Sequence, residues 1–263
     1  MLALISGRGT LPAAVAAAQN ETPLVCVLEG FAPEGLSADI TFKLEHLGSL
    51  LENLKARGVS DVCFCGAIDR PAFDPKALDQ ATLPLVPIMM KAMATGDDGA
   101  LRAVISLFEQ QGFTVHAAHS LAPNLLAPEG VLTRAQPDAQ MQTDAERADA
   151  VLAALSPLDV GQGCVVGAGQ IWSIETIGGT DHMLSTLPSS VRTKRAVLVK
   201  KPKSGQDWRA DLPTIGPTTI DRLAEAGLAG LVIDAGAVLL LDRGETLSRA
   251  DAAGLVLWSR HAT

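Results

Sequence analysis

The chain has 263 residues, 48% of them hydrophobic and 19% charged, with a formal net charge of -8 at pH 7. This composition excludes a disordered chain and supplies enough apolar material for sizeable cores. The acidic balance argues against a nucleic-acid binder that works through a broadly positive surface, and at roughly 100 to 200 residues per domain two compact domains are expected.

The apolar run Leu2 to Ser6 ends in Gly7-Arg8-Gly9, followed by Thr10, Pro12 and the alanine-rich stretch 13–19. That order predicts a strand, a glycine turn and a helix with proline in its first turn. The N-terminus has no basic region before its apolar residues, so it does not read as a signal peptide. No apolar run reaches the roughly 18 residues of a membrane-spanning helix. A soluble cytoplasmic protein is expected, touching the inner membrane at most from its surface.

Further strands are predicted at 23–28, 61–68 and 114–118, with helices at 46–57, 85–94 and 98–111, the last stopped by Gly112. This alternation predicts α/β architecture around a parallel, doubly wound sheet. From Leu121 to Gln142 the chain carries Pro123, Pro128 and Pro137 without a clear period. The resulting division is an N-terminal domain over 1–130, a linker over 131–142 and a C-terminal α/β domain over 143–263. That domain begins with a helix to Leu155, Thr143 and Glu146 having capping-box spacing. A hairpin around Gly167-Ala168-Gly169, strands at 196–199, 231–234 and 237–241, and a helix at 218–226 follow. The four cysteines, Cys26, Cys63, Cys65 and Cys164, sit in strand-like runs without paired CxxC spacing and read as buried thiols.

Three stretches hold more glycine, charge and amide than a scaffold needs. The first is Gly7-Arg8-Gly9-Thr10-Leu11-Pro12, where backbone N–H groups at a strand-to-helix turn suit a phosphate; plain turn chemistry explains it equally well. The second is Thr95-Gly96-Asp97-Asp98 with Arg102 one turn on. It is either a helix cap with a surface ion pair or a partner for a divalent metal and a phosphate. The third runs from Lys200 to Pro217. It closes a region, Arg192 to Arg209, that holds seven of the 21 basic residues, interleaved with Gln206, Asp207 and Asp211. A charge run is usually a solvated face, but cations on a diphosphate beside a carboxylate that binds metal or orients water are what phosphoryl hydrolysis requires. Leu158 to Gly163 and Gly178 to Leu184 join them; in the latter Asp181 is a better candidate than His182, which lacks histidine-metal spacing.

Along almost its whole length the sequence resembles the LpxI-type UDP-2,3-diacylglucosamine pyrophosphatases. The matching pieces are Gly7 to Pro12, Gly66 to Pro71, Gly96 to Asp98, Leu158 to Gln162, Gly179 to Asp181, Lys203 to Gln206, Arg209 to Gly216 and Gly227 to Gly230. The resemblance implies a Rossmann-like N-terminal domain, a second mixed α/β domain, a substrate cleft between them, magnesium or another divalent ion such as manganese, and a homodimer. It implies hydrolysis of UDP-2,3-diacylglucosamine to UMP and 2,3-diacylglucosamine 1-phosphate in lipid A synthesis. The family's catalytic aspartate falls on Asp211, with Asp181 supporting the same metal centre. Lys200, Lys203, Gln206 and Arg209 would neutralise the diphosphate. Gly7, Gly9, Thr10, Leu11, Ala67, Ile68, Gly96, Asp97 and Asp98 are assigned to nucleotide and sugar, and Gln162 and Thr180 to substrate. Met89, Met90 and Met93 are either core or the lining of an apolar trough for acyl chains.

The chain departs from the family pattern twice: Gly178 stands where glutamate is expected before Gly-Thr-Asp, and Arg8 where glycine is expected. Two other readings compete. One is an NAD(P)-dependent oxidoreductase using the Gly7 turn, which Pro12 and the lack of a clear proton donor count against. The other is a nucleotide- or lipid-binding module that does not cleave.

Overall fold

The computed structural model describes residues 1–69, 73–94, 97–209 and 211–261, without the side chains of Met93, Asp97 and Asp98. The chain divides into two compact units: 1–123 together with 207–211, and 124–206 together with 212–263.

The first unit is built on β1 (Leu2–Ser6), α1 (Leu11–Ala17), β2 (Leu24–Leu28), β3 (Ile40–Phe42), α2 (Leu47–Ala56), β4 (Asp61–Cys65), α3 (Val86–Met93), α4 (Asp97–Gln110), β5 (Thr114–His116) and the short α5 (Ala118–Leu121). Its five strands are all parallel, in the order β3-β2-β1-β4-β5, the doubly wound Rossmann-like order. The sequence reason is visible in β1 and β2, where four of five residues are buried: a parallel sheet covered on both faces needs continuous apolar runs rather than alternation. Leu47, Leu50, Leu51 and Leu54 place the buried face of α2 on this sheet, together with Ile105 and Phe108 of α4. The Phe108 ring meets Phe64 edge-on at 5.1 Å.

The second unit contains β6 (Gly130–Val131), α6 (Ala139–Leu155), β7 (Gly163–Gly167), β8 (Gln170–Ile174), α7 (Gly179–Ser185), β9 (Val197–Lys200), β10 (Thr214–Ile215), α8 (Pro217–Ala226), β11 (Gly230–Asp234), β12 (Leu239–Leu240), α9 (Arg243–Ala252) and β13 (Val256–Arg260). Its main sheet has the order β6-β13-β11-β9-β7-β8. β9, β11 and β13 run parallel, while β7 is antiparallel to β9 and pairs with β8 as the expected hairpin. The core on one face gathers Leu198, Leu223, Leu231, Ile233 and Leu257; on the other, Met141, Ala145 and Ala148 of α6 meet Cys164, Val197 and Val232.

Several sequence expectations change here. Residues 131–142, expected as a linker, carry the end of β6 and the first turn of α6. That helix starts at Ala139, because Asp138 accepts a hydrogen bond from Met141 N at 2.8 Å and so supplies the cap. Thr143 is therefore an interior residue bonded back to the Ala139 carbonyl, not a cap. The Gly178 to Leu184 stretch, given no secondary structure from the sequence, forms α7 from Gly179 onward. β3, α9 and β13 lack a strong sequence signal and were not expected. All four cysteines are free and buried; burial pushes the thiols of Cys26 and Cys164 up to about 12.

Candidate functional site

At the end of β1 the Gly7 turn packs against the end of β4. Gly7 N donates to Cys65 O at 2.8 Å and Arg8 N to Ala67 O at 2.9 Å, while Ala67 N returns a bond to Arg8 O at 3.0 Å. A Cβ on Gly7 would lie 2.5 Å from Ala67 O and 2.7 Å from Ile68 Cγ1, so only glycine allows the two turns to close. The structure thus brings Gly7, Ala67 and Ile68 together. It also spends the Gly7 and Arg8 amides on protein, so these two N–H groups are not the open phosphate cradle the sequence suggested. The amides of Gly9, Thr10 and Leu11, at the start of α1, take no backbone partner among the described residues. Arg8 forms an ion pair with Asp69 and lies over the Phe31 ring at 5.1 Å. Both charges are well exposed, so the pair contributes at most about 1 kcal/mol. Gly96 lies outside the described residues, and of Asp97 and Asp98 only the backbone, opening α4, is described.

The segment 207–211 was expected to act from the C-terminal half, yet it groups with the first unit. Arg209 is the physical reason. Its Nε and Nη2 fork onto Asp207 at 2.9 and 2.7 Å, and its Nη1 reaches Glu109 of α4 at 2.6 Å. Trp208 meets His119 edge-on at 6.0 Å. The fork holds the Asp207 carboxyl below its usual range and raises the Arg209 guanidinium. Arg209 was expected to face a diphosphate; here three of its five N–H donors go to two carboxylates. Asp211 is half-buried, and its N–H donates to Asp207 O at 3.3 Å. Asp181, its expected partner at a metal, belongs to the second unit, exposed in the first turn of α7.

The second unit assembles a different cluster. Lys200 ends β9 only 8% exposed. Its ammonium donates to Thr180 Oγ1 at 2.5 Å, and that hydroxyl donates to Glu175 Oε2 at 2.9 Å; Lys200 Nζ and Glu175 Oε2 are 3.8 Å apart. Thr180 and Asp181 are consecutive on α7, so roughly 100° of helical rotation turns one toward Lys200 and the other to solvent. Sequence reasoning missed Glu175. The carboxylate expected at 178 is absent; Gly178 lies under the His182 ring, where a Cβ would be 2.6 Å from Cδ2. Glu175, three residues earlier, supplies a carboxylate to Thr180. Its signal in the sequence is a charge closing the apolar run Ile171 to Ile174, but only the strand register reveals its partners.

Lys203 pairs with Asp159. Gln206, expected on substrate, turns its carboxamide oxygen to Lys203 N at 2.9 Å and fastens the 203–206 turn. Gln162 O accepts from Lys201 N at 3.0 Å. Lys201 and Arg260 converge on Asp149 at 3.1 and 2.5 Å, and burial raises the carboxyl of nearby Asp234. The basic run is therefore largely neutralised inside the protein. Arg195 binds Asp138 at 2.9 Å, and Arg192 reaches the carbonyl of Glu225 near the end of α8.

Met89 belongs to the first unit's core and Met90 is 52% exposed; Met93's side chain lies outside the description. Among the described residues, no group of three or more histidine, cysteine, aspartate or glutamate side chains gathers as a metal cage. No described helix is long and apolar enough to cross a membrane.

Comparison with known proteins sets these geometries in a family. Residues 1–125 match the LpxI N-terminal domain and residues 128–258 the LpxI C-terminal domain. This chain belongs to the LpxI family. A protein of Caulobacter vibrioides named UDP-2,3-diacylglucosamine pyrophosphatase LpxI is 37% identical over 268 residues, spanning 97% of this chain and 95% of that relative. The match runs through both units, so the Gly7 turn, the Lys200 cluster and the 207–211 segment all lie within family territory.

Proposed function

We propose that this chain hydrolyses the pyrophosphate bond of UDP-2,3-diacylglucosamine, releasing UMP and 2,3-diacylglucosamine 1-phosphate. The observation that carries the reading is the nearly full-length similarity to a relative named for that activity. The same similarity favours it over a nicotinamide-dependent oxidoreductase and over a binding module that does not cleave.

In the reaction a water oxygen bonds to one phosphorus, the bridging P–O bond breaks, and the bridging oxygen leaves on the other phosphate with its negative charge. Lys200 suits the neutralisation of that charge, since an ammonium has three donors and Thr180 takes one. Lys203 is assigned a similar, more peripheral role. Asp211 is assigned to hold a divalent ion or orient the water, with Asp181 in support. Gly9, Thr10, Leu11, Ala67 and Ile68 are assigned to nucleotide and sugar.

Magnesium, or manganese in its place, is the ion we assign to these carboxylates. Such ions are usually held by one or two carboxylates plus substrate phosphate oxygens and water rather than by an all-protein cage. Bound there, the ion would polarise the phosphoryl group and offset its charge. The family resemblance further supports a homodimer and a cytoplasmic protein with at most peripheral membrane contact; light scattering and vesicle sedimentation read these directly.

The experiment is release of UMP from UDP-2,3-diacylglucosamine with magnesium. Turnover that stops on chelation and returns with added ion supports the reading. A stable complex with intact substrate would replace it with a carrier.

A further inference from the structure

We propose that Glu175 is a positioning residue for Lys200, acting through Thr180, and that the glycine at 163 opens the space in which it does so. The proposal rests on the pyrophosphatase reading, in which Lys200 meets the diphosphate.

The strand register supplies the geometry. Gly163 of β7 stands directly opposite Lys200 of β9, and on its other side Glu175, one residue past β8, donates its N–H to Gly163 O at 2.8 Å. Residues opposite one another share a sheet face, so Lys200, Gly163 and Glu175 form one row across three strands. The outer two backbones are about 10 Å apart, and a side chain on the middle strand would stand between the ammonium and the carboxylate. A Cβ at Gly163 would lie 2.6 Å from Glu175 Oε2. Gly161 makes a similar allowance for the backbone: its Cβ would fall 2.0 Å from Glu175 O. Gly161-Gln-Gly163, part of the stretch from Leu158 singled out in the sequence, is thus shaped around Glu175.

Hydrogen-bond direction gives Glu175 its function. A threonine hydroxyl has one proton and two lone pairs. An ionised carboxylate only accepts, so the Thr180 proton goes to Glu175 and a lone pair is left facing Lys200. The side chains of Glu175 and Lys200 are 13% and 10% exposed, which leaves little water to do the same. A glutamine at 175 keeps an accepting oxygen for the Thr180 proton but not the negative charge. The hydroxyl is then held by a weaker, neutral acceptor, and the ammonium loses the carboxylate 3.8 Å away that keeps it in position.

The test is a mutant cycle read as kcat/KM for UMP release. Glu175→Gln and Thr180→Val should each lower it at least tenfold, with the double variant no worse than the weaker single, because both break one chain of contacts. Thr180→Ser should recover most of what valine loses. In a Lys200→Met background, Glu175→Gln should change nothing further. Parent activity in Glu175→Gln, or multiplying losses in the double variant, would overturn the proposal. Should the parent release no UMP, the pyrophosphatase reading has failed instead. The same cycle in thermal unfolding then decides: non-additive shifts for 175 and 180 keep the contact, and additive ones remove it.

Discussion

One methyl group added at Gly163 separates the stability of the second unit from the placement of Lys200. In Gly163→Ala the new Cβ would sit 2.6 Å from Glu175 Oε2 and 3.4 Å from both Glu175 Cβ and Leu198 Cδ1. The tight contact is the tip of a flexible side chain, so the carboxylate can retreat by about 1 Å to ordinary van der Waals distance. That retreat takes the 2.9 Å bond to Thr180 beyond useful hydrogen-bond length. Losing a bond to a charged group costs about 1.5 to 3 kcal/mol, and the reduced freedom of the unfolded chain returns about 0.4 to 1. The net is about 0.5 to 2.5 kcal/mol, or a Tm lowered by about 2 to 8 °C, with kcat/KM down about tenfold or more. Gly161→Ala is the contrast. Its φ is +33° and its Cβ would meet backbone, 2.0 Å from Glu175 O, which cannot swing aside, so a loss above about 3 kcal/mol is expected. Circular-dichroism melting beside UMP release reads both. Parent activity in Gly163→Ala, or unfolding as deep as in Gly161→Ala, would refute the argument.

Asp211→Asn should keep the melting temperature within about 3 °C and most substrate affinity while losing turnover by about a thousandfold or more; equal turnover would remove its assigned role. Arg209→Lys keeps the charge but not the fork, so amide exchange across 207–211 should quicken about tenfold, corresponding to about 1.4 kcal/mol, and unchanged exchange would contradict the fastening. Lys203→Ala should raise KM more than it lowers kcat, and an effect confined to kcat would contradict its assignment. Asp138→Ala should cost about 1 kcal/mol through loss of the α6 cap. The Met141 amide and Arg195 hold the Asp138 carboxyl below its ordinary value of 3.8. Its stabilisation is therefore full above that pH and fades as pH falls toward the lower folded value, so parent and variant should converge in strong acid.

The sequence exposed those parts of the fold whose signals are local. Continuous apolar strands such as Leu2–Ser6 and Asp61–Cys65 announced the parallel sheet, and Gly167-Ala-Gly169 announced the hairpin. What it concealed is non-local. β13 and α9 follow a polar, weakly periodic stretch, and only packing on β11 and α8 makes them regular. The cap of α6 went to Asp138 because tertiary context let the helix run one turn further back than the Thr143 pattern indicated. At the site, Lys200 and Thr180 were visible as cations and hydroxyls near family motifs, whereas Glu175 gains meaning only from the register that puts it one strand beyond Gly163. Arg209 shows the opposite limit: its residue type suits phosphate, but nothing in the sequence signalled that Asp207 and Glu109 take three of its five donors.

The most direct test of the account is hydrolysis of UDP-2,3-diacylglucosamine in 18O-labelled water with magnesium, followed by mass spectrometry of both products. The account predicts equimolar UMP and 2,3-diacylglucosamine 1-phosphate, one labelled oxygen per turnover in one of the two phosphates, and no label in the Asp211→Asn reaction. Intact substrate, or products that carry no label, would contradict it.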